Sequence, residues 1–235
     1  MKLDFGLGLT ASVSARDPRV PRLWRLRFNR SGSELVDALY RIGQPVRYEY
    51  VPAPWSLDYY QNTYARDPGS AEMPSARRAF TWSLLFQLKR LGIDSTYVLL
   101  RTGLSSYMDD ELDKKHLICE EEYLVGEEAA GKIATTRAAA GRVIAVGATV
   151  GRALESAAGK LPTMRATHGY TSLRITAAHA LKTVDGLLTG LHEPDASHLD
   201  MLNAFLPADQ TRTAYLEAIA SGYLWHEFGD LNLIL

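Results

Sequence analysis

With 235 residues, 46% apolar and 23% charged, the chain has ordinary globular composition and length enough for one large domain or two small ones, which excludes disordered, collagen-like and coiled-coil proteins. No stretch approaches the ~18 consecutive apolar residues of a membrane span, and Asp4 and the glycines that interrupt residues 5–15 make the opening a strand rather than a signal peptide. The net charge of −1 conceals a split, +6 over residues 1–105 and −7 over the rest, so the first part can attract phosphate or RNA or simply the second part. Cys119 is the one cysteine, which excludes an internal disulfide and fits a reducing cytoplasm.

The first predicted elements are β-rich. Leu23–Phe28 alternates, with Trp24, Leu26 and Phe28 on one face and Arg25 and Arg27 on the other. Ser33-Glu34 opens a short helix carrying Leu35, Leu39 and Ile42 at helical spacing, and Gly43 ends it. Val46–Tyr50 alternates again. Residues 52–74, rich in Pro, Tyr, Asp and Gly, form a long loop of the kind that often carries function. Ser75 is placed as the N-cap of a helix running to Leu91, closed by Gly92, and Ile93–Leu100 as an apolar strand. Acids cluster at Asp109, Asp110, Glu111 and Asp113. Glu120–Val125 reads as a strand, Glu127–Ala140 as an Ala-rich helix, Arg142–Val146 as a buried strand inside a sheet, and Val150–Ala158 as a helix. Leu173–Ile175 and Lys182–Leu188 are predicted strands, Ala196–Leu206 and Asp209–Ala220 helices, and Tyr223–Leu235 a strand pair around Gly229-Asp230. Strands and helices alternate through the second half. The predicted fold class is therefore α/β, with a β-rich segment over residues 1–50 and a main domain over residues 51–235.

Three constellations can carry chemistry. In Val143–Thr149 a buried strand ends at Gly147 and a helix begins at once; amides at Gly147 and Thr149 can hold a carboxylate, phosphate or ribose hydroxyl. Arg152 and Glu155, three apart, share a helix face at the carboxyl end of that strand, where ligands bind in open α/β sheets. A tight turn with a surface ion pair has the same spacing, and G-x-G-x-x-G is absent. The second constellation runs from Val184-Asp185-Gly186 to His192-Glu193-Pro194. There a strand leads to His192, a candidate acid or base near neutral pH or a plain satisfied polar group. The third is the loop with Tyr60, Gln61 and Tyr64, ending at Arg77 and Arg78. Its tyrosines can stack on a base and its arginines, at a helix start, can grip an anion; equally, they can pack on the core and face solvent. His116 and Cys119 give only two candidate metal ligands, too few for zinc.

In this order, these segments resemble the S-adenosylmethionine:tRNA ribosyltransferase-isomerase family of queuosine biosynthesis (QueA). The resemblance rests on Gly141–Thr149 with Arg152-Ala153-Leu154-Glu155-Ser156, and on Val184–Thr189 with His192 and Pro194. It rests also on Tyr60-Gln61-x-x-Tyr64-Ala65 with Pro68-Gly69-Ser70, on Tyr215-x-Glu217-Ala218-Ile219-x-x-Gly222-Tyr223, and on Phe228-Gly229-Asp230. It covers roughly Pro45 to Leu235. Several family positions differ. A family histidine is replaced by Ala79, the family's H-x-G reads Arg101-Thr102-Gly103, and its M-H-S-E reads Ile118-Cys119-Glu120-Glu121. His192 is kept, while an Asn and a Lys around it are lost. Family members are longer, so the resemblance makes residues 1–50 the end of a small β-rich domain and residues 51–235 a QueA-like main domain.

The implied reaction moves the ribosyl part of S-adenosylmethionine to an aminomethyl-deazaguanine base in tRNA. The product is an epoxycyclopentanediol, and adenine and methionine leave. The sulfonium acidifies the adjacent ribose carbon, so a base must take a proton. On this resemblance His192 and Glu155 are the catalytic candidates, and Gly147, Thr149, Arg152 and Asp185 the S-adenosylmethionine-binding ones. Tyr60, Gln61, Tyr64, Arg77, Arg78 and Arg101 lie on the acceptor side. S-adenosylmethionine is a substrate and no metal is required. The changed positions keep two other readings open. One is an enzyme that binds S-adenosylmethionine or a related nucleoside and acts on a small anionic acceptor, favoured by the Arg77-Arg78 pair at a helix start. The other is a non-catalytic half of a split complex, completed by a partner chain or a second copy. All three readings expect a cytoplasmic protein without a membrane partner.

Overall fold

The structure is a computed structural model, which describes every residue except 19, 48–50, 62, 64, 66, 74, 104–119, 159–163 and 193–197. The described residues form two compact units, Met1–Val46, and Arg47–Gly103 with Cys119–Leu235.

In the first unit an antiparallel sheet runs in the order β1 (Lys2–Asp4), β2 (Thr10–Arg16), β3 (Trp24–Phe28), followed by α1 (Gly32–Ile42). The turn at residues 6–8 splits the opening run into two strands, and Leu9 and Ala11 then point into the core. Leu26 and Phe28 share the inward face as alternation requires, whereas Trp24 is exposed beneath the Arg16 guanidinium, 5.0 Å from the ring centre. At the end of α1 the Gly43 amide donates to the Leu39 carbonyl at 2.7 Å.

The second unit is α/β. One sheet is antiparallel, in the order β4 (Val98–Leu100), β5 (Glu121–Val125), β7 (Thr167–Thr171). The other has β6 (Ile144–Val146) parallel to β8 (Gly186–Gly190), with β9 (Leu231–Ile234) antiparallel on the far side of β8. The helices are α2 (Trp82–Arg90), α3 (Glu127–Ala138), α4 (Ala148–Ala157), α5 (His198–Leu202) and α6 (Ala208–Ala220). Helix α4 is the keystone, because it packs on strands of both sheets. Its buried face, Gly151, Ala153, Leu154 and Ala157, is mostly small, which lets backbone approach backbone. Ala145, Ala153, Leu187 and Val125 are fully enclosed around it. None of the helices among the described residues is long and apolar enough to cross a membrane.

Several boundaries differ from expectation. β6 lies at the edge of its sheet, with β8 central, and is buried because α4 covers it. Ser75 does not cap a long helix: Ser75–Arg77 is a short 3-10 turn, and α2 starts at Trp82 with Thr81 accepting the Leu84 amide at 3.2 Å. The strand expected at Leu173–Ile175 lies earlier, at Thr167–Thr171, since the Thr171 hydroxyl takes the Leu173 amide and turns the chain. In Tyr223–Leu235 only β9 is a strand. Leu224 and Asp230 instead close a loop, the Asp230 amide donating to the Leu224 carbonyl and the Leu224 amide to the Asp230 carboxylate. Val46 and Arg47 form no strand; Tyr48–Tyr50, like the acid run Asp109–Asp113, lie outside the described residues.

Candidate active site

Because β6 and β8 are parallel, their carboxyl ends open on the same side of the sheet. Beyond β6, Gly147 takes φ +104° and ψ 138°, donates its amide to the Leu188 carbonyl at 2.7 Å and starts α4. L side chains rarely adopt this conformation. A Cβ would meet only the Thr149 hydroxyl at 3.5 Å, an ordinary contact. Gly147→Ala should therefore cost about 1–3 kcal/mol through backbone strain alone, measured as a shift in denaturant midpoint. The next amides, of Ala148 and Thr149, have no intrahelical acceptor and carry the positive end of the helix dipole.

Beyond β8 stand three imidazoles, of which His192 and His226 are buried and His198 is half-buried. His192 is 7% exposed. It stacks on His198, the first residue of α5, at 3.7 Å between ring centres and 7° between planes. His226, from the 224–230 loop, lies 4.1 Å from His192 at 51°. The His226 amide donates to the Leu191 carbonyl at 2.7 Å, and its Nδ1 is 2.9 Å from the Ser75 hydroxyl. Gly190 makes room for this: a Cβ there would lie 2.7 Å from the His226 Cβ.

Burial is the main force on all three rings and disfavours their charged forms. His198 and His226 fall from the usual 6.5 to about 4. His192 is pushed lowest, with His198 and His226 adding repulsion to its burial. The folded protein thus holds the trio neutral where the unfolded chain would bind protons, between about pH 4 and 6.5. Stability is accordingly full above about pH 6.5 and lost as pH falls towards 4. The thermal midpoint should be level near pH 7–8 and decline steadily below pH 6.5. A His198→Phe variant should decline less steeply.

The loop bearing His226 continues into an aromatic and charged wall. Glu227 is buried, and Phe228 meets the Tyr60 ring in a T-shaped contact at 5.1 Å and carries the Arg78 guanidinium at 4.7 Å. Trp55 reaches Phe228 at 6.2 Å and Tyr59 at 4.9 Å. Burial raises the Tyr60 pKa and the Glu227 charge adds to that, while Arg47 opposes. Burial lowers that of Arg78, against Glu227. Gln61 is exposed, and Arg77 is half-buried in the 3-10 turn. Tyr64 lies outside the described residues. Since α2 begins only at Trp82, Arg77 and Arg78 do not sit at a helix start, and the expected anion grip there is corrected.

Of the other predicted site residues, Glu155, Asp185 and Arg101 fall elsewhere, while Arg152 is near enough to His198 for its charge to help lower that ring's pKa. The Glu155 carboxylate is wholly enclosed and accepts the amides of Lys182, Thr183 and Val184 at 2.9–3.0 Å, with His179 Nε2 at 3.2 Å. Asp185 accepts the Val143 amide at 2.7 Å and an Arg137 N–H at 2.8 Å. Both carboxylates lie at the amino end of β8, opposite to Gly147 and His192. Arg152 shares the helix with Glu155 and pairs off it, with Glu121 at 2.7 Å and the Leu173 carbonyl at 3.0 Å. Arg152→Ala should lower stability by about 1–3 kcal/mol, because it strips a charged partner from the partly buried Glu121; urea unfolding reads this. Arg101 pairs with Glu122, which also meets His168 at 2.9 Å, and it packs against Gly69. His198, His226 and Ser75 were not among the sequence candidates as ligand-side groups. The one available signal was that His226 directly precedes the Glu227–Asp230 segment.

A parallel strand pair whose carboxyl ends carry a glycine-led helix start is the arrangement at which α/β enzymes bind ligands, and here three imidazoles gather beside it. The particular family follows from comparison with known proteins. The sequence model described as "Queuosine biosynthesis protein" matches residues 1–234, and the chain belongs to that family. The match takes in the first forty-odd residues, where motifs alone gave no resemblance. The S-adenosylmethionine:tRNA ribosyltransferase-isomerase of Heliobacterium modesticaldum is 37% identical over 237 residues, covering 99% of this chain and 69% of that protein. The Thermus thermophilus protein of the same name is 37% identical, covering 97% of this chain and 65% of its own length. A crystal structure of the S-adenosylmethionine tRNA ribosyltransferase from Thermotoga maritima aligns with TM-score 0.58 and 26% identity, over 100% of this chain and 65% of that one. The chain spans about two thirds of the length of these relatives.

Proposed function

We propose that the chain carries the S-adenosylmethionine-dependent ribosyl transfer and isomerisation of its relatives, on tRNA in the cytoplasm, at the carboxyl ends of β6 and β8. The observation that carries this is the neutral trio beside the Gly147 turn. Unprotonated imidazoles repel a cationic sulfonium less than charged ones would and keep lone pairs for a proton released from the ribose carbon. A proton entering the trio is shared among rings in contact, and burial disfavours the charged form of all three. The Ser75 hydroxyl is the hydrogen-bond partner of His226. The Ala148 and Thr149 amides suit a ribose hydroxyl or carboxylate. Tyr60, Arg78 and Phe228 form the wall against which the acceptor base lies, with Gln61 and Arg77 at its margin.

Glu155, Asp185, Arg152 and Arg101 are positioning residues in this reading. Glu155 and Asp185 fix the amino end of β8, so that its other end presents His192. The β-rich unit that ends at Val46 belongs to a smaller domain in this reading, and the unit that begins at Arg47 to the main one. The small-anion alternative loses its support with the helix start at Arg77-Arg78. The test is incubation with S-adenosylmethionine and tRNA bearing the aminomethyl-deazaguanine base. Equimolar adenine and methionine should appear only when that tRNA is present. Absence of both products, or release indifferent to tRNA, overturns the proposal.

A further inference from the structure

We propose that the outward face of α2 is an RNA-docking surface, which stacks unpaired bases of a single-stranded loop on Trp82 and Phe86 and pairs its phosphates with Lys89 and Arg90. In a surface helix the large apolar side chains ordinarily face the core. In α2 the half-buried side is Leu84, Leu85 and Leu88, and no residue of the helix is fully buried. Trp82 and Phe86 lie on the solvent side, 49% and 62% exposed. They are one turn apart with ring centres at 6.3 Å and planes at 30°. Lys89, a further turn on, continues the same stripe, and Arg90 flanks it. Helix α2 itself contains two cations, Lys89 and Arg90, and no acid.

About half of Trp82 and more of Phe86 stays open among the described residues, and this cost in exposed apolar surface points to a partner. Lysine is depleted in the centre of protein–protein contacts. A ring, ring, cation stripe on an acid-free segment is instead the pattern that bases and phosphates fit together, whatever the base sequence. The platform is fixed at both ends, by the Thr81 cap and by Gly92 at φ +77° with the Ile93 amide donating to the Leu88 carbonyl at 3.0 Å. The surface is separate from the imidazole trio. It shares with the proposed reaction only the class of partner.

The experiment is fluorescence anisotropy of a labelled RNA stem–loop, titrated with the full chain at several salt concentrations. Trp82→Ala/Phe86→Ala should weaken binding about tenfold or more at fixed salt. Lys89→Gln/Arg90→Gln should reduce the slope of log K against log salt by about 1–2. Both variants should keep the wild-type thermal midpoint and S-adenosylmethionine affinity. A competitor RNA duplex without a loop should displace the labelled stem–loop poorly. Equal binding by wild type and both folded variants overturns the surface. So does a wild-type dimer that the double aromatic variant converts to monomer in sedimentation, because the face then serves a second copy. If tRNA-dependent adenine release persists in either case, the surface alone is refuted; if release is absent while the stem–loop binds as expected, only the activity is.

Discussion

His192→Gln and His226→Gln should each lower the rate of tRNA-dependent adenine release by about 10²–10⁴, the usual range for a positioned acid or base. The rings are in contact and share one burden, holding a proton in an enclosed site, so the double variant should be no slower than the worse single one. Calorimetric affinity for S-adenosylmethionine should change little, because the ring atoms act on the transferred proton rather than on the bulk of the ligand. A rate within tenfold of wild type in both single variants would remove the trio from the chemistry. Ser75→Ala should fall between, since it withdraws a partner from His226 and leaves the ring in place.

Glu155→Ala should destabilise the protein by about 3–5 kcal/mol, the range for stripping a buried, fully partnered charge. Three amides, of Lys182, Thr183 and Val184, would lose their acceptor together in a place water does not reach. Glu155→Gln retains the shape and part of the acceptor capacity and should cost roughly half as much. Denaturant midpoints at pH 7.5 check both. A loss below about 1 kcal/mol for the alanine variant would mean that the 182–184 segment finds other acceptors.

The strand–glycine–helix unit around Gly147 was legible because three local signals agree there: an apolar run, a glycine that relieves positive φ, and an amphipathic helix directly after it. Helix α3 was legible from its alanines, the acids in its first turn and the Gly141 stop. The trio was not. His192, His198 and His226 meet only because α5 and the 224–230 loop both return to the end of β8, and nothing in their spacing encodes that. The Arg152–Glu155 pair shows the limit of spacing from the other side. Three residues apart on one helix permits an ion pair, but each side chain finds a better partner off the helix, Glu121 for one and three backbone amides for the other. Asp185 was assigned with His192 because they belong to one segment; a five-residue strand separates them and puts them at opposite ends of the sheet. Ser75 looked like a helix cap by residue type, yet its hydroxyl serves His226, and Thr81 caps α2 instead.

That division between the two ends of β8 makes the decisive measurement a simple one. Amide hydrogen exchange should be followed by mass spectrometry with and without saturating S-adenosylmethionine. Protection should rise at residues 147–151 and 190–192, where the Gly147 turn and His192 face the proposed ligand. Exchange at residues 182–185, already held by Glu155 at the far end, should not change. Protection confined to residues 182–185, with none at the Gly147 turn, would contradict the placement of the site.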